Sequence, residues 1–237
     1  MSKCMKHSNL FVVWYLQRVR HGLETDQIVQ INRRMTAFQR KKLESTPFKW
    51  LLCLEEPIQL SDALLRQLIS RWSTDHKCFR IRQHLVPFSG LDVYMGVGLG
   101  ITGKPVRLGY DNEGLVKNLF QREAITINTI VEKLSEKEIN DKSHVDDFCR
   151  LYILLAFAAF YFPLTSMEVC IYPLSLLDRL EHLHLYNWGE AVHALLVRSL
   201  NHASEVFRTQ KNASNLHLAG CVAVLQVSVT LFIVKHV

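Results

Sequence analysis

Gly98-Leu-Gly-Ile-Thr-Gly103 has the spacing of a dinucleotide-binding loop, in which glycines let the backbone close on a pyrophosphate at a helix mouth. That chemistry needs a strand before the loop and a helix beneath it. Here residues 92–97 have the composition of a helix, and Lys104-Pro105 stands where the phosphate-binding helix would run. The glycines are therefore expected to end a helix and make a turn. His182-Leu-His184 and His76-Lys-Cys78 are the tight groupings of metal-capable residues. At i, i+2 the two side chains diverge on a helix, and neither pair has an acid or thiol at a familiar ligand spacing, so no metal site and no cofactor are expected. Asp92, Asp111, Asp146 and Asp147 have the chemistry to hold magnesium, as in a nuclease, but Asp92 and Asp146 read better as first-turn charges favoured by a helix dipole. No Gly-x-Ser-x-Gly and no protease-like Cys, His and Asp arrangement occurs. The expectation is a protein without a catalytic site, with a metal-dependent nuclease using Asp146 or Asp147 as an alternative.

The basic run Arg33-Arg-Met-Thr-Ala-Phe-Gln-Arg-Lys-Lys42 has the composition of a two-part import signal or a phosphate-contacting arm. It also fits the solvated face of an amphipathic helix. Arg33, Arg34, Arg40, Lys41 and Lys42 have no acidic neighbour before Glu44, so residues 1–45 read as a basic extension preceding a domain over 46–237.

The elements around these residues are mostly helical. Ser61 and Asp62 form a cap and first turn ahead of Leu64, Leu65, Leu68, Ile69 and Trp72. Phe79-Arg-Ile-Arg82 alternates apolar and basic residues, and Leu85-Val-Pro-Phe88 follows, which predicts a small β-hairpin near 79–88 with Pro87 on an edge. Ser89-Gly-Leu-Asp92 has capping-box spacing. Residues 146–162 are nearly continuous in apolar and aromatic side chains, too short for a comfortable membrane span and expected as a buried helix. A helix is expected over 175–183. Tyr186-Asn-Trp-Gly189 forms a corner before a longer helix to about Phe207, with Asn187 and Gly189 as turn and cap residues and Trp188 as the anchor. Residues 210–215 are a polar linker. The stretch from Leu218 to Val234 is interrupted only by Gln226, Ser228 and Thr230, so it fits either a final core helix or a C-terminal membrane anchor.

Composition allows one large domain or two small ones with a substantial core: 237 residues, 49% hydrophobic and 21% charged. This excludes a disordered chain. The net charge of +6, with a pI near 9.0, permits contact with nucleic acid or anionic lipid. Cys4, Cys53, Cys78, Cys149, Cys170 and Cys221 make no CxxC pair and lie among apolar or mixed neighbours, as buried thiols of a reducing compartment do. The apolar run Leu10 to Leu16 meets Gln17-Arg18 without a small-residue cleavage site, so no signal peptide is expected.

In order along the chain, several stretches resemble the plant mobile domain, also called the aminotransferase-like plant mobile domain. They are Thr46-Pro-Phe48, Arg71-Trp72, Phe79-Arg-Ile81, and Asp92-Val-Tyr-Met-Gly-Val-Gly-Leu-Gly-Ile-Thr-Gly103 with its Gly98, Leu99 and Gly103. Phe162-Pro163, Tyr186-Asn-Trp-Gly-Glu-Ala-Val192, Leu196 to Ser204 and Leu218 to Gln226 follow. The resemblance covers 46–226. It implies a mainly helical domain without a catalytic site, found in transposable elements and in maintenance-of-meristems-like nuclear proteins, with protein partners and nucleic acid as what it binds. Gly96 and Gly100 depart from the family's usual Leu and Pro, and after Gln226 the chain lacks the Trp-bearing helix of that family, as a truncated copy would.

Overall fold

The computed structural model describes residues 18–109, 113–121, 123–136, 144–164, 172–209 and 216–228. Strand β1 (Val19–His21) leads into α1 (Asp26–Arg34), whose acid lies in the first turn and whose Arg33 and Arg34 lie in the last, matching the helix dipole. Helix α2 (Ala37–Glu44) starts at a Thr36–Gln39 capping box, and a 3₁₀ turn over Lys49–Cys53 follows. Helix α3 (Asp62–Arg71) begins at Ser61, whose hydroxyl accepts the Leu64 N–H, and it buries Leu65, Leu68 and Ile69. Strands β2 (Trp72–Ser73), β3 (Cys78–Ile81) and β4 (His84–Pro87) form an antiparallel sheet in the order β2-β3-β4, with Pro87 on an edge strand where it removes no ladder bond. After α4 (Gly90–Val97) come β5 (Lys104–Pro105), α5 (Leu115–Phe120) and α6 (Ile127–Ser135).

The centre of the molecule is α7 (Val145–Ala156), which runs on as a π turn over Phe157–Tyr161. Every residue from Phe148 to Phe162 is buried. A helix that is apolar all round belongs inside, and α1, α2, α5, α6 and a 3₁₀ turn over Leu174–Asp178 surround it. Arg150 is tolerated there because its guanidinium donates to the carbonyls of Leu177 (3.2 Å) and Asp178 (3.1 Å) and pairs with Asp147 at 2.8 Å. A second 3₁₀ segment, Leu180–Leu185, precedes β6 (Tyr186–Asn187) and the 22-residue α8 (Trp188–Thr209), against which α3, α4 and β2 pack. The described chain ends in β7 (Leu216–Leu218) and a helical segment over 222–228. The fold is mainly α with a small antiparallel sheet.

Two expectations need correction. Residues 18–45 are no extension. Val19, Leu23, Ile28, Ile31 and Leu43 join the core, and β1 pairs in parallel with β7, Val19 against Leu216 and His21 against Leu218. The basic residues hid an apolar stripe: Arg33 and Arg34 are the outer side of a helix whose inner side is Ile28, Ile31 and Asn32. Residues 1–17 lie outside the described residues. The segment over 175–183 folds as two 3₁₀ turns in place of a regular helix. Of the apolar C-terminal stretch, Leu218, Cys221, Val222, Val224 and Leu225 are fully buried, and the Gln226 side chain accepts the Ser61 N–H at 3.1 Å. Residues 229–237, and the linker 210–215, lie outside the described residues. No helix among the described residues is long and apolar enough to cross a membrane.

Candidate functional site

The glycine run and the tryptophan corner, far apart in sequence, meet in space. Gly98 ends α4 in the left-handed conformation (φ 70°), its N–H donating to the Tyr94 carbonyl. Leu99 is fully buried. The N–H of Gly189 donates to the Gly100 carbonyl at 2.9 Å, and a Cβ on Gly189 would stand 2.9 Å from that oxygen and 3.0 Å from the Leu99 oxygen. Gly103 (φ 112°) leaves no room either: a Cβ there would lie 2.5 Å from the Leu185 carbonyl oxygen. Asn187 closes the joint with both ends of its amide. Its oxygen accepts the Glu190 N–H (2.9 Å), capping α8, while its nitrogen donates to the Ile101 carbonyl (2.9 Å). Gly103 and Gly189 face protein backbone, and the joint between them is a close-packed seam.

Trp188 anchors that seam. It is 1% exposed, its indole N–H donates to the Leu183 carbonyl at 2.7 Å, and Phe48 and Phe157 lie on it at ring separations of 5.1 Å each. Tyr186 sits at its rim, 6.1 Å away. Trp72 plays the same part at the sheet. Its N–H donates to Asn201 Oδ1 (2.7 Å) and its ring lies 4.8 Å from Phe79. Asp92 completes a capping box, accepting the Ser89 N–H at 2.8 Å.

The candidate acids are separated and engaged. Asp146 pairs with Lys42 at 3.0 Å and Asp147 with Arg150, while Asp92 is committed to Ser89. Asp111 lies outside the described residues. Among the described residues no group of three His, Cys, Asp or Glu side chains is placed to hold a metal ion. His76 faces Ser73, whereas Cys78 is buried in the strand. Burial, with Asp146 adding to it, pushes the Cys149 thiol up to about 12, and burial does the same to Cys221, so both stay protonated and unreactive at neutral pH. Cys53 is exposed, and Cys4 and Cys170 lie outside the described residues.

The five basic candidates of 33–42 do not act as one patch. Arg33 donates to the Glu55 carbonyl (2.9 Å), and Arg40 donates to the carbonyls of Leu52 (3.2 Å) and Asn32 (3.1 Å). Both line a groove of about 510 Å³ shared with Glu55 and Glu56. Lys42 is paired with Asp146, and only Arg34 and Lys41 are exposed without such an engagement. Sequence reasoning missed the network behind them: Asn32, 7% exposed, accepts the Tyr152 hydroxyl at 2.7 Å and donates to the carbonyls of Leu51 (2.8 Å) and Leu54 (3.2 Å). An asparagine among apolar positions of α1 was the available signal.

Two surfaces remain open. On α4, Leu91, Tyr94 and Met95 are 56%, 49% and 60% exposed, with Ile101 and Leu185 also exposed near the joint. On the sheet, Arg80 stands across the ladder from Leu85, which is 57% exposed, and every residue of 82–85 is exposed.

A single mainly helical domain, seamed by backbone-to-backbone glycine contacts and anchored by Trp72 and Trp188, is the class of protein these features define. The chain belongs to the family described as a domain of unknown function, DUF8566, which matches residues 23–226. That match begins ahead of α1, in keeping with the packing of α1 and α2 into the core. No curated protein and no solved structure matches the chain.

Proposed function

We propose that the chain is a non-catalytic nuclear interaction module of the transposon-derived or meristem-maintenance-like kind, engaging a partner protein through the outer face of α4. The observation that carries this reading is that α4 is apolar on every side. Val93 and Val97 point into the core and Gly96 lies against Val224, yet Leu91, Tyr94 and Met95, spaced i, i+3 and i+4, point out. Its one charged residue, Asp92, is used by the cap. A helix apolar all round belongs in a buried setting, and anchors at this spacing are how a helix meets a partner's apolar surface. The class and the nuclear setting are supported by the ordered motif resemblance at Thr46-Pro-Phe48, Phe79, Asp92 to Gly103 and Tyr186 to Gly189.

The test compares the tagged full chain with a Leu91→Ser/Met95→Ser variant, both purified from nuclei. A stoichiometric heterologous partner that stays bound through size-exclusion chromatography with the natural chain, and is lost with the variant, supports the reading. An unchanged partner set, with both chains equally folded by circular dichroism, refutes it. The expectation of nucleic-acid contact at 33–42 meets the carbonyl-held Arg33 and Arg40, and a different surface takes it up below.

A further inference from the structure

The hairpin β3–β4 and the turn before it are rich in basic side chains. Between Lys77 and Leu91 the sequence holds Lys77, Arg80, Arg82 and His84 and no acidic residue. Among the described residues, Lys77, Arg80, Arg82 and the nearby Arg198 have no carboxylate within ion-pair distance. Lys77 and Arg198 line a groove of about 310 Å³ along α8 together with Glu190 and His193, and Arg71 stands exposed at the end of α3 just before β2. The acids on these elements are Asp62, Asp75, Glu190 and Glu205; of these Asp62 pairs with Arg18 at 3.6 Å and Glu190 faces His193 at 3.3 Å.

The backbone adds a separate observation. Lys77 (φ 47°) and Arg82 (φ 55°) occupy the left-handed region at the two turns of the sheet. Glycine or asparagine would sit there with less strain, yet both turns hold a cation. The base beneath them is rigid: Trp72, Phe79 and Phe88 form a ring cluster, and the Trp72 carbonyl accepts from Arg208 at 3.0 Å. The backbone that carries Lys77, Arg80 and Arg82 is therefore anchored on the core.

We propose that this hairpin, with Arg71, Lys77, Arg80, Arg82 and Arg198, binds the phosphate backbone of duplex DNA. Phosphates suit cations that no carboxylate among the described residues pairs with. A lone Leu85 beside Arg80 offers too little apolar area to hold a bilayer surface. None of the α4 residues takes part, so the proposal goes beyond the partner-protein reading and stands apart from it.

The experiment is fluorescence anisotropy of the full chain with a labelled duplex of about 20 base pairs, between about 50 and 200 mM salt. Five phosphate contacts give a slope of log K against log salt of about −4.5, a loss of about 500-fold over that range. Arg80→Gln/Arg82→Gln brings the slope to about −2.7 and the loss to about 40-fold, with an unchanged circular dichroism spectrum and melting midpoint. Arg80→Lys/Arg82→Lys keeps the slope, as does Arg34→Gln/Lys41→Gln. Absence of binding at the lowest salt overturns the proposal, and so does a slope unmoved by the double glutamine variant. Retention on phosphatidylserine vesicles that the duplex does not compete away overturns it as well. The Leu91→Ser/Met95→Ser variant binds the duplex normally, so loss of DNA binding and loss of a protein partner report on different surfaces.

Discussion

Replacing Gly189 by alanine sets two effects of opposite sign against each other. Gly189 is the second residue of α8, and alanine gains up to about 1 kcal/mol over glycine in a helix. Against this, the new Cβ would stand 2.9 Å from the Gly100 oxygen, 2.9 Å from Ile101 Cγ2 and 3.0 Å from the Leu99 oxygen. Ordinary contact begins at 3.4 Å, so the glycine turn must retreat by 0.5 Å (3.4 − 2.9). Two of the three neighbours are backbone, and the turn is held by Gly98 as the α4 cap and by the Asn187 bond to Ile101. Retreat also stretches the bond from the Gly189 N–H to the Gly100 carbonyl, worth about 1 kcal/mol. Overpacking of this kind costs about 1–3 kcal/mol. Summed with the lost bond and set against the propensity gain, the expected net loss is about 1–3 kcal/mol. For a chain of this size that lowers the melting midpoint by about 3–10 °C. Equilibrium urea unfolding and a thermal melt measure it, with Gly100→Ala as the companion variant: a Cβ there meets nothing within 4 Å, and the change is within about 0.5 kcal/mol. A Gly189→Ala chain as stable as the natural one, or more so, refutes the seam.

Asn32→Leu strands the Tyr152 hydroxyl and the Leu51 carbonyl in the core, and urea unfolding is expected to show a loss of about 3 kcal/mol. Adding Tyr152→Phe recovers part of it, a coupling that a double-mutant cycle reads directly. Arg40→Gln is expected to cost about 1–2 kcal/mol through its two carbonyl bonds, whereas Arg34→Gln and Lys41→Gln stay within about 0.5 kcal/mol by the same assay. Stability also falls in alkali under reducing conditions. The thiols of Cys149 and Cys221 titrate near 9 when unfolded and about 12 when folded, so the unfolded chain loses its protons first. Their contribution is complete below pH 9 and is lost as pH rises toward 12, joined above pH 10 by the Tyr152 and Tyr161 hydroxyls, which burial also raises. Cys149→Ala/Cys221→Ala flattens the part of the dependence between pH 9 and 10 in urea titrations at successive pH values.

Short-range chemistry was legible in this chain. Ser61, the Ser89 to Asp92 box, Pro87 on an edge strand and Trp188 at the mouth of a long helix all depend on neighbours a few residues away, and the structure puts each where that chemistry places it. Contacts across long separations were not. The parallel pairing of β1 with β7 joins Val19 to Leu216, and nothing in either three-residue strand announces the other. The two 3₁₀ turns over 174–185 have helical composition but bend to bring the Leu183 carbonyl under the Trp188 indole. The glycine run spelled a nucleotide loop, and the structure gives other reasons for glycine there: the left-handed φ of Gly98 and the Leu185 carbonyl against Gly103.

The fate of the arginines follows from the same division between local and distant partners. Arg33 and Arg40 lie in the densest basic run of the chain, yet the 3₁₀ turn near them offers carbonyl oxygens that no ladder or helix has claimed, and Leu52 and Glu55 take their N–H groups. Arg33, Arg34 and Lys41 of that run are exposed, while Arg40 and Lys42 are half-buried. In the β3–β4 hairpin Arg80 stands against Leu85 and Ile81 against His84 across the ladder, and among the described residues Arg80 and Arg82 have no carboxylate within ion-pair distance. With no acid between Lys77 and Leu91 either, the sparser cluster keeps its cations available. The 3₁₀ turn near α1 and α2 offers carbonyls that engage Arg33 and Arg40, whereas Lys77, Arg80 and Arg82 have no carboxylate partner among the described residues, and that difference is the ground on which the hairpin is proposed as the site for an anionic partner.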